Sequence, residues 1–340
     1  MQIRVLGASE AAGWDAYVAA HPEATFFHRS GWRRILEETL GHRSHYLYAE
    51  IDGRIAGILP LGHIRSRLFG NSLISSPFCV YGGIIADNAA VSAALDDAAC
   101  RLAHSLGVDY LELRNQKPGQ KLRPSKDLYV TFRKPLSDDV EANFRAIPRK
   151  QRAMIRRSGE AGLVGIIDDE PDRLYRVYAE SVRNLGTPVF PRELFYALKS
   201  EFGPDCEVLT VERRGHVLSS VMSFYFRDQV LPYYGGGTRA ARLCHANDFL
   251  YWELMRRCCE RGIRIFDFGR SKRGTGSYQY KCHWGIQPEP LAYEFELVKA
   301  THIPDINPLN PKYRLFIAAW KHLPLPLSMA IGPFLARNLG

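Results

Sequence analysis

The chain has 340 residues, 46% of them apolar, and carries 45 Lys and Arg against 36 Asp and Glu, a net charge of +9. This length suits two domains of ordinary size, and the apolar content excludes a chain that is disordered throughout. The positive balance favours an anionic partner such as nucleic acid, nucleotide phosphates or a membrane surface.

The first part of the chain predicts a helix, a hairpin, a strand, a helix and a strand in succession. Ser30 can cap the first helix and Gly41 can end it. Asp52-Gly53 lies between two apolar runs and is typical of a hairpin, because glycine tolerates the positive φ of a tight turn. A strand over 76–81, a helix over 89–106 and a strand over 108–113 follow.

A basic segment, residues 147–157, occupies the middle of the chain. Pro148 suits the first turn of a helix, and that helix would gather the cations Arg149, Lys150, Arg152, Arg156 and Arg157. The segment is either a solvated face or a contact surface for phosphate or RNA. For the second interpretation, Arg149 and Arg152 are the candidate binding residues.

The second half repeats the order of the first. Strands over 206–212, 216–225 and 230–234 precede a helix over 247–261 and a strand over 263–268, with a turn at Arg214-Gly215. Tyr81-Gly-Gly matches Tyr234-Gly-Gly, and residues 107–113 match 262–268. A repeat of this length indicates a duplicated domain. The element order predicts two α/β domains, each a mixed sheet flanked by helices, at 1–134 and 135–300, and a tail at 301–340.

The segment 266–285 is densest in groups that can carry chemistry. A strand runs there into a glycine-rich loop that contains Arg270, Ser271, Lys272 and Arg273. Backbone donors beside cations make a good anion site, although a basic surface loop would look the same, and the spacing is not that of a P-loop. Asp267, on the apolar strand, can pair with an arginine or with the loop backbone.

Other chemistries are poorly matched. Seven cysteines without a C-x-x-C pair predict neither a disulfide framework nor a metal site, and free thiols fit a reducing cytoplasm. Residues 1–14 lack the pattern of a signal peptide. His216, His245 and His283 are isolated in the sequence and are interpreted as structural. We therefore expect a cytoplasmic protein without a bound metal.

The motif Phe266-Asp-Phe-Gly-Arg-Ser-Lys-Arg-Gly-Thr-Gly, followed by Tyr278-Gln-Tyr-Lys281 and His283-Trp-Gly285, resembles the FemAB family, more specifically its members associated with exosortase and PEP-CTERM systems. The resemblance spans about residues 3–300. It implies a pair of GNAT-like domains, which agrees with the repeat. Characterised members of the wider family are aminoacyltransferases that move an amino acid from aminoacyl-tRNA onto an amine of a peptidoglycan precursor.

The resemblance also implies roles for individual residues. Tyr280-Lys281 stands where the family has an aromatic–Lys pair beside the reacting groups, and Arg183 loosely matches its phosphate-contacting arginine. An aminoacyl ester is already activated, so positioning and a cation can supply most of the rate. We expect Lys281, with Asp267, to be catalytic. The loop residues 270–273 would bind phosphate or substrate, and Tyr234, Tyr278 and Tyr280 would either shape the cleft or pack in the core.

Three functions stay open. The first is aminoacyl transfer from tRNA to a cell-envelope precursor, although no coiled-coil arm for tRNA is present. The second is acyl-CoA-dependent N-acyl transfer to an amino sugar or lipid-linked saccharide, although the pyrophosphate loop [QR]-x-x-G-x-[GA] is missing. The third is a non-catalytic binding module of an envelope or protein-sorting pathway. In the first two the donor, tRNA or CoA, is a substrate, and no permanently bound cofactor is expected.

The tail, residues 301–340, mixes apolar side chains with Lys312, Arg314, Lys321 and Arg337. This composition suits a segment that lies on a membrane surface, because apolar burial and attraction to anionic lipids add together. Such a segment would bring the protein to the inner face of the membrane. The other interpretation is that the tail packs on the first domain and covers its core.

Overall fold

The structure, a computed structural model, describes residues 1–66, 69–303 and 311–339. The chain forms two compact units. Unit 1 comprises Met1–Tyr129, Pro290–Ile306 and Arg337–Gly340, and unit 2 comprises Val130–Glu289 and Asn307–Ala336. The first unit therefore ends at residue 129 instead of 134, and each unit also takes a segment from the C-terminal part of the chain.

The strands, in chain order, are β1 (Gln2–Val5), β2 (Arg43–Ile51), β3 (Arg54–Ser66), β4 (Gly70–Ser75), β5 (Ile85–Ala86), β6 (Tyr110–Asn115), β7 (Tyr129–Thr131), β8 (Arg133–Pro135), β9 (Val164–Asp168), β10 (Cys206–Arg213), β11 (His216–Phe226), β12 (Gln229–Gly237), β13 (Ile265–Asp267), β14 (Ser271–Lys272), β15 (Glu289–Pro290) and β16 (Ala292–Leu297).

The α-helices are α1 (Ala11–Ala20), α2 (Gly31–Arg34), α3 (Ala89–Leu106), α4 (Val140–Arg145), α5 (Arg149–Glu160), α6 (Asp172–Leu185), α7 (Arg192–Phe202), α8 (Arg239–Leu243), α9 (Ala246–Glu260), α10 (Gly276–Cys282), α11 (Pro311–Lys321) and α12 (Leu325–Ala336). A π-helical turn, Ile35–Thr39, extends α2. Ser30 precedes α2, but its hydroxyl donates to Asp15 Oδ2 at 2.6 Å instead of capping the helix.

Unit 1 is built on a sheet in the order β1-β2-β3-β4-β6-β16, with β5 paired to β3. β4 and β6 run parallel, and β16 pairs antiparallel with β6. The sequence places the strand near 291–298 in the second domain, and this is wrong. Neighbouring strands in a chain usually share a sheet, but sequence order alone does not show which sheet edge accepts a returning strand.

Unit 2 is built on a six-stranded sheet in the order β8-β13-β12-β11-β10-β9. β12 and β13 run parallel, and the other neighbours are antiparallel. Helices α6 and α9 pack against this sheet. Its core buries apolar side chains of the strands and of α9, among them Val221, Leu254 and Phe266. Mixed sheets flanked by helices are the predicted fold class, which is confirmed.

The two units share the order hairpin, strand, helix and parallel strand. Both hairpin turns have positive φ at both central residues, 49° and 75° at Asp52-Gly53 and 49° and 78° at Arg214-Gly215. The proposed match of Tyr81 with Tyr234 is wrong, because β4 ends at Ser75 while Tyr234 lies within β12. The strand predicted over 76–81 does not form there, since Pro77 has no N–H to continue a ladder.

The tail packs on unit 2, not on unit 1 as the sequence suggests. Helices α11 and α12 contact α6. Arg183 of α6 donates from Nη1 to the Leu323 carbonyl at 3.0 Å. Gly332 lies so close to Val189 that a Cβ there would be 2.9 Å from its backbone nitrogen. Within the described ranges no helix is long and apolar enough to cross a membrane.

Candidate functional site

The sheet of unit 2 opens between β12 and β13. The two strands pair only at Gln229–Ile265 and Val230–Phe266, after which β12 continues to Gly237. Near its end, Gly236 lies so close to α6 that a Cβ would be 2.6 Å from the Cβ of Ser181. In open α/β sheets, ligands bind beyond the carboxyl ends of diverging parallel strands. The candidate site is therefore formed by the loops that follow β12 and β13.

Gly269 is the anchor of the loop after β13. Its N–H donates to Asp267 Oδ1 at 2.7 Å, and its carbonyl accepts from Lys281 Nζ at 2.7 Å. Lys281 donates a second bond to the Arg270 carbonyl at 3.1 Å. The backbone φ of Gly269 is 71°, a value that residues with a Cβ rarely adopt. The two predicted catalytic residues thus hold the loop backbone in one conformation.

Asp267 and Lys281 are both buried. Asp267 also accepts from Thr131 Oγ1 at 3.1 Å and lies 3.7 Å from Arg133 Nε. Lys281 is 7% exposed. Burial lowers the pKa of Lys281 to about 7, with the charge of Asp267 opposing this shift and that of Arg270 adding to it. An amine with such a pKa can gain or lose a proton near neutral pH.

The basic loop itself lies between β13 and α10. Arg270, Lys272 and Arg273 are half-buried, whereas Ser271 is buried. The Ser271 hydroxyl has no hydrogen-bond partner within the described part of the chain. Because buried hydroxyls are normally bonded, this group is available to a bound ligand.

A second polar cluster lies at the start of α9 and includes residues that the sequence did not single out. Buried Asp248 accepts from Gln151 Nε2 at 2.5 Å and from the Tyr280 hydroxyl at 3.1 Å. His245 Nδ1 lies 3.5 Å from Asp248 Oδ2. These contacts join α5, α9 and α10, so the basic helix and the end of the loop segment meet at the Asp248 carboxylate.

His245 is not isolated, contrary to the interpretation from sequence. Its φ is 54°, a left-handed conformation that is uncommon outside glycine and frequent at functional sites. Its side chain is about one-third exposed, and Asp248 lies beside one ring nitrogen. A partly exposed histidine held by a buried carboxylate can accept a proton from a substrate. The only signal in the sequence is the three-residue spacing of His245 and Asp248.

The three candidate tyrosines occupy different environments. Tyr234 is buried, and its ring centroid lies 5.3 to 5.9 Å from those of Tyr178, Phe190 and Phe195, an environment of core packing. Tyr278 is half-buried with its ring 5.5 Å from Phe132. Tyr280 belongs to the Asp248 cluster.

The candidate arginines outside the loop also differ. Arg149 is exposed at the start of α5, and Arg152 is half-buried on the same helix. Arg183 contacts the tail at the end of α6. Within the described residues, no group of three or more His, Cys, Asp or Glu side chains could hold a metal.

Comparison with known proteins identifies the kind of enzyme. Residues 142–282 match the acetyltransferase (GNAT) domain family. No curated protein matches the sequence. The chain carries a GNAT domain and is an acyltransferase.

Solved structures are similar to this chain over most of its length. FemX is similar over 93% of this chain and 100% of its own, with 14% identity and a TM-score of 0.68. The C-terminal domain of a protein described as a lysylphosphatidylglycerol synthetase from Agrobacterium fabrum follows with 86% and 92% coverage, 13% identity and a TM-score of 0.60. A tandem GNAT protein from the clavulanic acid biosynthesis pathway covers 88% and 99%, with 12% identity and a TM-score of 0.56. The fold is therefore FemAB-like, as the resemblance implies.

Proposed function

We propose that this acyltransferase moves an aminoacyl group from aminoacyl-tRNA to an amine of a cell-envelope precursor. The observation that supports this most is the similarity to FemX, which extends over the full length of that protein. A second neighbour is named for an aminoacylated lipid. The FemAB motif of the sequence forms the loop that Asp267 and Lys281 hold in place.

The charge of α5 supports a polyanionic donor. This helix has twelve residues, five of them cations, and its single acid is Glu160 at the last position. Arg149, Lys150, Arg156 and Arg157 are exposed. Gln151 connects the buried side of α5 to Asp248 and so to the Tyr280 of α10. A helix of this composition can bind backbone phosphates while its buried side stays attached to the site.

The reaction needs no nucleophile from the protein. The acceptor amine loses a proton to His245 and attacks the ester carbonyl of the donor, forming a C–N bond and a tetrahedral oxyanion. The C–O bond to the tRNA ribose then breaks, and the released ribose hydroxyl takes the proton back. Lys281, when protonated, has one N–H beyond the two that bind carbonyls, and this N–H stabilises the oxyanion.

Donor binding tests the proposal. Equilibrium titrations with aminoacyl-tRNA, deacylated tRNA and acetyl-CoA should show saturable, salt-sensitive binding of tRNA. Arg149→Ala and Arg157→Ala should each reduce the slope of log K against log salt by about 0.7, the value for one lost phosphate contact on single-stranded RNA. The matched control is Arg213→Ala, at an exposed arginine that ends β10, which should leave the slope unchanged.

The second candidate is acyl-CoA-dependent N-acyl transfer to an amino sugar or lipid-linked saccharide. It is favoured by the acetyltransferase domain match over 142–282 and by the opening between β12 and β13. Saturable binding and turnover with acetyl-CoA, without transfer from aminoacyl-tRNA, would select this function and exclude the first.

A further inference from the structure

Helix α12 buries its small residues and exposes its large apolar ones. Ser328 and Ala336 are 2% exposed, and Gly332 packs against Val189. Leu327, Ile331 and Phe334, at positions i, i+4 and i+7, share another face and are 43%, 40% and 63% exposed. A helix that served only to complete the core of unit 2 would bury its large apolar side chains and expose its small residues.

Helix α11 continues the same feature. It buries Trp320 but leaves Leu315 84% and Phe316 43% exposed. We call Leu315, Phe316, Leu327, Ile331 and Phe334 together the tail face. Several large apolar side chains exposed on two consecutive helices mark an interaction surface, whereas single ones are ordinary on protein surfaces.

The charged side chains of the two tail helices are all of one sign. Between residues 311 and 337 there are four Lys and Arg and no Asp or Glu. Arg314 and Lys321 are exposed. A second copy of the chain docked symmetrically on the tail face would bring these cations against each other. A partner with an apolar interior and a negatively charged surface would complement both the apolar side chains of the tail face and these cations.

A cleft of about 490 Å³ that contains arginine side chains adjoins α12. Its lining residues are Asp172, Arg173, Tyr175, Arg176, Arg192 and Met329. Arg173 is paired with Asp168 and Glu212, and Arg192 with Asp172. Arg176 is exposed. Carboxylates therefore neutralise Arg173 and Arg192. The exposed guanidinium of Arg176 is the cation of this cleft that suits a phosphate group.

We propose that α11 and α12 dock the protein on an anionic phospholipid bilayer. The tail face enters the boundary between headgroups and acyl chains, and Arg176 in the cleft binds a lipid phosphate. Apolar burial and the attraction of Arg314, Lys321 and Arg176 to anionic headgroups then add together. This docking does not depend on whether the acyl donor is tRNA or CoA, and it would hold the enzyme beside acceptors that are bound to lipid.

Vesicle co-sedimentation of the full chain tests this proposal. The wild type should bind vesicles of phosphatidylcholine with phosphatidylglycerol and bind pure phosphatidylcholine weakly. The combined variant Leu327→Gln, Ile331→Gln, Phe334→Gln should lose at least about tenfold in partitioning, because several apolar groups no longer leave water. Arg176→Ala should lose about fivefold on the anionic vesicles alone. Leu243→Gln, at an apolar residue of α8 that is 87% exposed, is the matched control and should bind as the wild type does.

Since every altered side chain is at least 40% exposed or lies on the surface, thermal melting should confirm that the variants stay folded. The proposal fails if the wild type does not bind anionic vesicles, or if the combined variant binds them as well as the control does. It also fails if the chain is a dimer that the combined variant converts to monomer without any vesicle binding, because the tail face would then be an interface between copies.

Discussion

Asp267 and Lys281 bind opposite ends of one glycine. Asp267 accepts the N–H of Gly269, and Lys281 donates to its carbonyl, each at 2.7 Å. Their side chains come from β13 and α10, so the two contacts fix the segment between these elements at Gly269, two residues after β13 ends. A change in either side chain therefore alters both the loop conformation and any chemistry at the site.

Lys281→Met tests these two roles separately. Methionine keeps the apolar stem but leaves two carbonyls without their donor, so we expect a loss of about 1–3 kcal/mol in unfolding free energy. If Lys281 also stabilises the oxyanion, turnover per folded molecule falls about 100- to 1,000-fold. Urea denaturation and kcat, measured on the same preparation, distinguish the outcomes. Reduced stability with unchanged kcat would limit Lys281 to holding the loop.

The lowered pKa of Lys281 predicts how stability depends on pH. Burial lowers this pKa from 10.5 to about 7, so between these values the unfolded chain binds a proton that the folded protein lacks. The contribution of Lys281 to stability must therefore rise with pH from about 7 to about 10. Urea titrations over this range should show the unfolding free energy of the wild type rising relative to Lys281→Met. A difference that stays constant with pH would contradict the lowered pKa.

His245→Asn tests the proton acceptor. Asparagine tolerates the left-handed conformation at this position, where φ is 54°, and removes the imidazole. We expect kcat to fall about 100- to 10,000-fold, the contribution of a general base, while the melting temperature changes little. His216→Asn, at an exposed histidine of β11, is the control. Equal kcat in the two variants would exclude His245 as the base.

Gly332→Ala tests the packing of the tail on unit 2. The added Cβ would lie 2.9 Å from the Val189 nitrogen and 3.0 Å from its carbonyl oxygen, and backbone atoms cannot yield as a flexible side chain can. We expect a loss of about 1–3 kcal/mol in stability and easier proteolysis of α12. Gly159→Ala in α5 meets no atom within 4 Å and should stabilise by about 0.5–1 kcal/mol. Calorimetry or urea denaturation would measure the unfolding free energy of both variants. Equal changes in the two would mean that α12 is not held at Gly332.

Much of the fold could be predicted because it depends on residues close together in the sequence. The turns at Asp52-Gly53 and Arg214-Gly215, and the helices that end before Gly107 and Gly262, are determined by local backbone preferences. The glycine-rich loop is likewise one continuous segment. The match of Tyr81 to Tyr234 failed because identical residues followed by glycines do not ensure equal positions in a sheet.

The sequence by itself determined the fold class, the duplication and the segment that forms the loop after β13, because each of these depends on short-range periodicity, turn residues and spacing. Only the tertiary structure decided which sheet accepts β16 and which unit the tail covers. It also decided that Gln151, Asp248 and Tyr280 meet, although 97 and 32 residues separate the bonded pairs. The physical reason is that such contacts form between surfaces brought together by the burial of a whole core, and no local pattern encodes which surfaces those are.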